Sequence, residues 1–275
     1  MPLDNKVSVV IVNYNTKEMT DTCIESFKKY HEDLDYEIIL VDNASNDGSQ
    51  EFFRRKYPDI KFIGNTKNLG FGVANNIGVE EAEGEYVLLL NSDTITFKPF
   101  VQKMISSFNN NKNVGIVGLN LLNKDNTPQN SYGFFPSKGQ VFFEILRLHK
   151  IKKLFPLVKP LGCEISSFNK GDFLVDYVSG ACLMIKRSLW ADLKGFDDNI
   201  FMYFEELDLC YRAKKFLGKN IIVNPKAQLI HLGGGSFEQY SKDKIKYFYE
   251  SYLYLLDKHY SQIDRIIIII QLIIL

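Results

Sequence analysis

The run Val87-Leu-Leu-Leu90 sets four apolar residues in succession and then stops at Asn91-Ser-Asp93. An unbroken apolar run of this length reads as a strand buried on both faces, which is the habit of parallel sheets. That requirement constrains the whole chain. A parallel sheet needs long crossover connections and helices on its faces, so the remaining sequence must supply more strands of the same kind. It also puts the Asp93 carboxylate at the C-terminal edge of the sheet, where open α/β folds bind their ligands.

The other strands are legible. Val7-Ser-Val-Val-Ile-Val12 ends at Asn13-Tyr14-Asn15-Thr16. Thr16 reads as a helix N-cap, and Met19, Cys23 and Phe27 follow at helical spacing. Tyr36-Glu-Ile-Ile-Leu-Val41 ends at Asp42, and the turn residues from Asn43 to Ser49 lead into a short helix. A third strand spans 60–63, and Asn68-Leu-Gly-Phe-Gly-Val-Ala-Asn-Asn-Ile-Gly78 opens another helix. This β-α-β-α-β-α-β rhythm predicts an α/β fold. Its central sheet is mostly parallel and Rossmann-like, with right-handed crossovers and flanking helices.

A helix over 99–109 and a strand over 114–119 continue the pattern, which then fails across 120–172, where Pro128, Pro136, Pro156 and Pro160 fall. Within that stretch, residues 141–155 form an amphipathic basic piece that suits either an ordinary surface helix or one lying on anionic lipid. Strand-like runs flank Ser179-Gly180-Ala181, a helix starts near Glu205-Glu206, and short strands are expected at 221–223 and 228–231. A long aromatic-rich helix is expected over 237–260.

Lysine plus arginine balance aspartate plus glutamate at 33 each, so bulk charge argues neither for nor against nucleic acid. No nucleic-acid partner is expected. The four cysteines are scattered without metal-ligand spacing, and Met1-Pro-Leu-Asp-Asn-Lys6 is polar, so a reduced, cytoplasmic protein is expected.

Three groups of residues bear on chemistry. Asp42 and Asp93 both end strands, so both project toward one sheet edge. Strands end in polar residues for ordinary reasons, but two such acids also suit a nucleotide site, with Asp42 toward a base or ribose and Asp93 toward a metal. A hard cation such as Mg²⁺ or Mn²⁺ prefers oxygen ligands and keeps phosphate and water in its shell. Glu205, Glu206 and Asp208 complement a helix dipole, with Arg212, Lys214 and Lys215 at the other end. Phe201-Met-Tyr-Phe204 just before them is nevertheless too apolar for an idle surface. Acids beside such a wall acquire the raised pKa that a general base needs. His231, before three glycines, is a competent metal ligand. Gly70, Gly72 and Gly78 match neither Gly-x-Gly-x-x-Gly nor a Walker loop, and the first βα turn has no glycine fingerprint, which disfavours a Rossmann oxidoreductase.

Taken in order, these elements resemble the inverting glycosyltransferases of family 2, which have the GT-A fold, and their rhamnosyltransferase-like branch above all. The matching residues are Val9-Val-Ile-Val-Asn-Tyr-Asn15, Leu40-Val-Asp42-Asn43-Ala-Ser-Asn-Asp47-Gly-Ser49 and Asn68 to Gly78. They continue through Asn91-Ser-Asp93, Gly180-Ala-Cys-Leu-Met-Ile-Lys-Arg187 and Gly195-Phe-Asp197. The last are Tyr203-Phe-Glu205-Glu206-Leu-Asp208-Leu-Cys-Tyr-Arg212 and His231-Leu-Gly-Gly-Gly-Ser236.

The resemblance implies a domain over 1–236, with a nucleotide-sugar half over 1–119 and an acceptor half over 120–236, and a helical extension over 237–275. It implies that Asn13, Tyr14, Asn15 and Asp42 hold the donor's base and ribose, with Asn68 and Asn76 nearby and Asn91 and Ser92 also on the donor. Asp93 would bind the metal that bridges the diphosphate, with His231 as a further ligand. Glu206 would be the base, oriented with substrate by Glu205 and Asp208. Two departures stand out: Asn91 replaces the first acid of Asp-x-Asp, and Glu206 replaces the usual aspartate. They keep open a sugar-nucleotide binding protein without catalysis. The expected donor is dTDP-rhamnose or a UDP-hexose, and the acceptor a growing cell-surface glycan or a lipid-linked sugar.

The apolar end, Ile266-Ile-Ile-Ile-Ile-Gln-Leu-Ile-Ile-Leu275, is too short to span a bilayer, which takes ~20 helical residues. It suits a terminal element packed on the protein, an interfacial anchor, or part of a longer spanning helix. A membrane surface is therefore a further expected partner, with the protein peripheral at the inner face of the cell membrane.

Overall fold

The computed structural model describes residues 6–135, 171–233 and 242–274. The amphipathic piece over 141–155 and the last two glycines of 233–235 lie outside the described residues.

Most of the predicted strands form one sheet. Strands β1 (Val7–Asn13), β2 (Tyr36–Asp42), β3 (Lys61–Gly64) and β4 (Tyr86–Asn91) are all parallel and lie side by side in the order β3-β2-β1-β4. Helices α1 (Lys17–Tyr30), α2 (Ser49–Lys56) and α3 (Phe71–Glu80) are the crossovers. Register explains why three site candidates end level: Asn13 pairs with Asp42, and Val12 with Asn91. The chain steps outward from β1 to β3 and then returns to the other side of β1, so β1 and β4 flank the topological switch point.

Beyond β4 come β5 (Thr94–Ile95), α4 (Val101–Asn110), β6 (Val114–Leu122) and β7 (Tyr132–Gly133). These are followed by β8 (Phe173–Val175), β9 (Tyr177–Val178) and β10 (Cys182–Lys186). The second half of the chain enters the same sheet. β10 inserts antiparallel between β4 and β6, and β11 (Asn220–His231) lies parallel to β6. Because β10 runs backwards, its start sits at the C-terminal end of β4, where the Asn91 N–H donates to the Ala181 carbonyl at 3.0 Å. The two short strands expected at 221–223 and 228–231 are one strand. Its register shifts between Asn224 and Gln228, where Pro225 cannot donate to the ladder and Asn224 Oδ1 accepts from Lys226 N.

The expected Thr16 cap is not made. Its hydroxyl is taken up by Asn13 Oδ1 and Ser92 Oγ, and the Asp47 carboxylate caps α1 instead, accepting from Lys17 N at 2.9 Å. Helix α5 (Arg187–Leu193), unforeseen in the sequence, follows β10 directly, and α6 (Glu205–Lys215) carries the acids. The long aromatic helix is α7 (Lys242–His259), and the apolar end forms α8 (Gln262–Ile274). Ile268 of α8 is buried against Leu256 of α7, so the tail is at least partly a packed element. Among the described residues no helix is long and apolar enough to cross a membrane.

Candidate active site

A cleft of about 510 Å³ opens at the switch point between β1 and β4. Tyr14 follows β1, Asn91 ends β4, and Ser92 and Asp93 follow it; all line the cleft, with Asn43 and Asn68 beside them. Ser179, Gly180 and Ala181 arrive from the start of β10, Glu205 and Glu206 from the first turn of α6, and Phe248 from α7.

Pairing of the short β5 with the end of β11 sets His231 opposite Thr94, and Leu232 N donates to the Asp93 carbonyl at 2.9 Å. The His231 Nε2 and Asp93 Oδ1 atoms consequently lie 3.3 Å apart. Two neighbouring ligands of an octahedral ion with ~2.1 Å bonds sit ~3 Å apart, so this spacing fits a hard divalent cation. Asn91 lines the same cleft, and its Oδ1 is buried without a hydrogen bond. No trio of histidine, cysteine or acidic groups clusters as a metal site among the described residues. The donor set therefore suits an ion that draws its remaining ligands from substrate phosphate and water.

The acids are held under tension. Tyr203 and Phe204 have φ of 70° and 69°, and consecutive left-handed residues of this kind cost roughly 1–2 kcal/mol each. Aromatic packing holds the turn: the Phe204 ring is 4.9 Å from Phe248 and 5.2 Å from Tyr252. Gly70 makes room for the segment before it. At φ +87° it brings its backbone against Phe201, where a Cβ would lie 2.4 Å from the Phe201 carbonyl oxygen. Burial pushes the Glu205 carboxyl well above the usual range, reinforced by the neighbouring Glu206 charge. Glu205 Oε1 has no hydrogen-bond partner. Glu206 is also raised by burial, partly offset by hydrogen bonds from its own and the Gly180 backbone.

Five residues expected at the site do not line the cleft. Asp42 is fully buried and accepts from Asn13 Nδ2 at 2.6 Å, Gln50 Nε2 at 2.9 Å and Ser45 N at 3.0 Å. The Asn13 Oδ1 accepts from the Thr16 and Thr20 hydroxyls. Asn15 braces the loop after β2, bonding Ser45 and Asn46. Asn76 is committed to both backbone polar groups of Phe196 and to Asp198. Asp208 stands two residues past Glu206, about 200° around the helix, and faces away. It accepts from Arg212, Lys258 and His259, each at 2.7 Å. These contacts tie α7 to α6.

Asn43 was quoted in the sequence motif without a role. It donates to Asn68 Oδ1 at 2.8 Å and accepts from Leu69 N and Asn65, which shapes the loop before α3. Phe248 had a signal only in the aromatic richness of its helix. Tyr177 and Ser179 had none.

The family model for glycosyl transferase family 2 matches residues 8–191. The chain is 26% identical over 213 residues to the low-salt glycan biosynthesis hexosyltransferase Agl10 of Haloferax volcanii, covering 76% of this chain and 62% of that protein. It is 23% identical over 245 residues to an N-acetylglucosaminyl-diphospho-decaprenol L-rhamnosyltransferase of Mycobacterium tuberculosis, covering 81% of this chain and 75% of that one. Two solved structures share the fold. GalNAc-T7 with UDP, GalNAc and Mn²⁺ gives a TM-score of 0.63 at 14% identity, covering 92% of this chain and 47% of that one. The mannosyltransferase PcManGT of Pyrobaculum calidifontis, with GDP-Man and Mn²⁺, gives 0.58 at 16% identity, covering 92% and 63%. The fold is thus GT-A, with a mostly parallel central sheet. The chain belongs to glycosyl transferase family 2.

Proposed function

We propose that the protein is an inverting glycosyltransferase. It moves a sugar, rhamnose from dTDP-rhamnose as the leading candidate, to a hydroxyl of a growing cell-surface glycan or lipid-linked acceptor. One observation carries the reading: the Asp93–His231 pair and the Glu205–Glu206 pair, set by the strained Tyr203–Phe204 turn, face a single cleft at the switch point of the sheet. The rhamnosyl- and hexosyltransferase relatives support the choice of sugar class.

In this reading Tyr14, Asn43 and Asn68 receive the nucleotide and Asn91, Ser92 and Asp93 lie along the diphosphate. Asp93 and His231 would hold a divalent cation, Mg²⁺ or Mn²⁺, which would supply positive charge to the departing diphosphate. The acceptor hydroxyl oxygen attacks the anomeric carbon from the face opposite the diphosphate. As that bond forms, the bond from the anomeric carbon to the phosphate oxygen breaks, configuration inverts, and the nucleoside diphosphate leaves. Glu206 takes the hydroxyl proton on a carboxylate oxygen. A base so placed contributes about 10²–10⁴-fold. Burial and the neighbouring Glu206 charge both favour the protonated form of Glu205, so Glu206 is the acid of the pair that gives up its proton first.

Exposed Ile263 and Ile266 on α8 support a peripheral position at the cytoplasmic membrane face, where lipid-linked acceptors are found. A panel of dTDP-rhamnose and UDP-hexoses, followed by nucleotide release with and without chelator, tests the proposal. Acceptor-dependent, chelator-sensitive release from one donor is expected. Tight nucleotide-sugar binding with no release from any donor, across a range of acceptors, favours a binding protein instead.

A further inference from the structure

Gln129 lies between β6 and β7 and belongs to none of the motifs above. Its backbone N–H donates to the Leu121 carbonyl at 2.9 Å, which fixes it beside the end of β11. Its side-chain Oε1 lies 2.7 Å from His231 Nδ1. The orientation of this amide is settled by its other end. Gln129 Nε2 donates to the His231 backbone carbonyl at 3.3 Å and to Asn123 Oδ1 at 3.1 Å. A flipped amide would set an oxygen against that carbonyl. The Asn123 amide is pinned in turn, since its Nδ2 donates to Thr127 Oγ1 at 2.9 Å and to the Pro128 carbonyl at 3.4 Å. Thr127 Oγ1 donates in turn to Asp125 Oδ1 at 2.6 Å. Every donor in this chain has one acceptor facing it, and two backbone carbonyls forbid the reverse arrangement.

We infer that Gln129 is the positioning residue that fixes His231 as the Nδ1–H tautomer, so that the Nε2 lone pair faces Asp93 and serves as the metal-binding atom. The inference rests on the divalent-metal reading of the Asp93–His231 pair. The physical need is plain: a histidine ligates through an unprotonated nitrogen, and the hydrogen bond at the other nitrogen decides which one that is. Without an acceptor at Nδ1, the proton is free to settle on Nε2 and occupy the ligand position. Gln129 also holds the ring plane, because the imidazole is fixed at both its Nδ1 atom and its own backbone carbonyl by one side chain. Asn123, Thr127 and Asp125 form the support behind it.

The test uses the full chain and two readouts. Ring ¹⁵N resonances of His231, assigned by their loss in His231→Gln, report the tautomer in metal-free protein at a pH where the ring is neutral. Mn²⁺ alone, titrated and followed by the electron paramagnetic resonance of the free ion, reports affinity. Wild type is expected to show Nδ1–H. Gln129→Leu is expected to shift the ring toward Nε2–H and to weaken Mn²⁺ binding about 10–100-fold, the usual cost of losing such a partner. Gln129→Glu keeps an acceptor toward Nδ1 while losing the donor to the His231 carbonyl, and is expected to retain the tautomer and to bind Mn²⁺ more tightly than Gln129→Leu. Thermal melts of all three variants separate this effect from misfolding. An Nε2–H tautomer in wild type, or wild-type Mn²⁺ affinity in Gln129→Leu, overturns the role of Gln129. Wild-type protein that binds no Mn²⁺ overturns the metal reading itself and this inference with it.

Discussion

Asp208 Oδ1 lies 2.7 Å from His259 Nε2 and 2.7 Å from Lys258 Nζ, so one buried carboxylate ties the C-terminal helix to the helix that carries Glu206. The cleft wall depends on this tie, because Phe248 of the same C-terminal helix packs on the strained Phe204. Removing the charge leaves Arg212 and Lys258 facing each other without their common partner. We expect Asp208→Asn to cost about 3–5 kcal/mol in chemical denaturation, as for other broken buried ion pairs. The carboxyl is held below its ordinary value against the cost of burial by His259, Arg212 and Lys258. Its stabilisation is therefore present above the usual carboxylate range and is lost as pH falls through the lowered value. The variant should lack this part of the acid transition.

Glu206 has the opposite shift, raised by burial. A base works only when deprotonated, so transfer should rise with pH along a limb that lies above the ordinary carboxylate range. Glu205→Gln should leave that limb in place, because the shift of Glu206 comes from its own burial and not from Glu205. The same substitution should stabilise the protein at pH 7–8, since a buried, raised carboxyl costs stability as pH climbs toward its folded value. A pH–rate profile and a pair of melting curves check both.

His31 is a structural histidine that caps α4. Its Nε2 accepts from Phe100 N at 3.2 Å and Val101 N at 3.4 Å, while Nδ1 faces the Phe27 carbonyl at 3.1 Å. Burial lowers its pKa, with the Phe27 carbonyl opposing. The neutral ring therefore stabilises the fold above the ordinary histidine range, and this contribution is lost as pH falls toward the lowered value. His31→Leu should cost about 1–3 kcal/mol at pH 8 by leaving buried N–H groups unpaired, and less at pH 5. Equal costs at the two pH values would remove His31 from the account.

Ile263 and Ile266 are exposed on α8, whereas Ile268 is buried beneath it. Ile263→Ser with Ile266→Ser should leave the melting temperature unchanged and abolish sedimentation with anionic lipid vesicles. Vesicle binding that survives the double change places the membrane contact elsewhere.

Much of the frame was legible in the sequence because unbroken apolar runs such as Val87-Leu-Leu-Leu90 have few readings, and each ended at a polar residue on one edge. The antiparallel entry of β10 was not, because Cys182-Leu-Met-Ile-Lys186 looks the same in either direction. At the site, Asp93, His231, Glu205 and Glu206 were visible as residue types with chemistry, and the fold brings them to one cleft. Asp42, Asn13 and Asn76 carried the same kind of signal but are spent on loop and helix contacts. Sequence shows that a polar group is present, not which neighbour satisfies it. Gln129 gave no signal, since its part depends on two backbone carbonyls far apart in the chain. The motif of Asp208 carries no helical phase, and the residue lies on the opposite side of α6 from Glu206.

If Glu206 is the base of a glycosyl-transfer site, Glu206→Gln must lose transfer while keeping its grip on the donor. Donor affinity by calorimetry and single-turnover transfer should be measured on the same preparation, once the donor panel has named the sugar nucleotide. Donor binding close to wild type is expected, with transfer reduced about 10²–10⁴-fold. Transfer near the wild-type rate in that variant would contradict it.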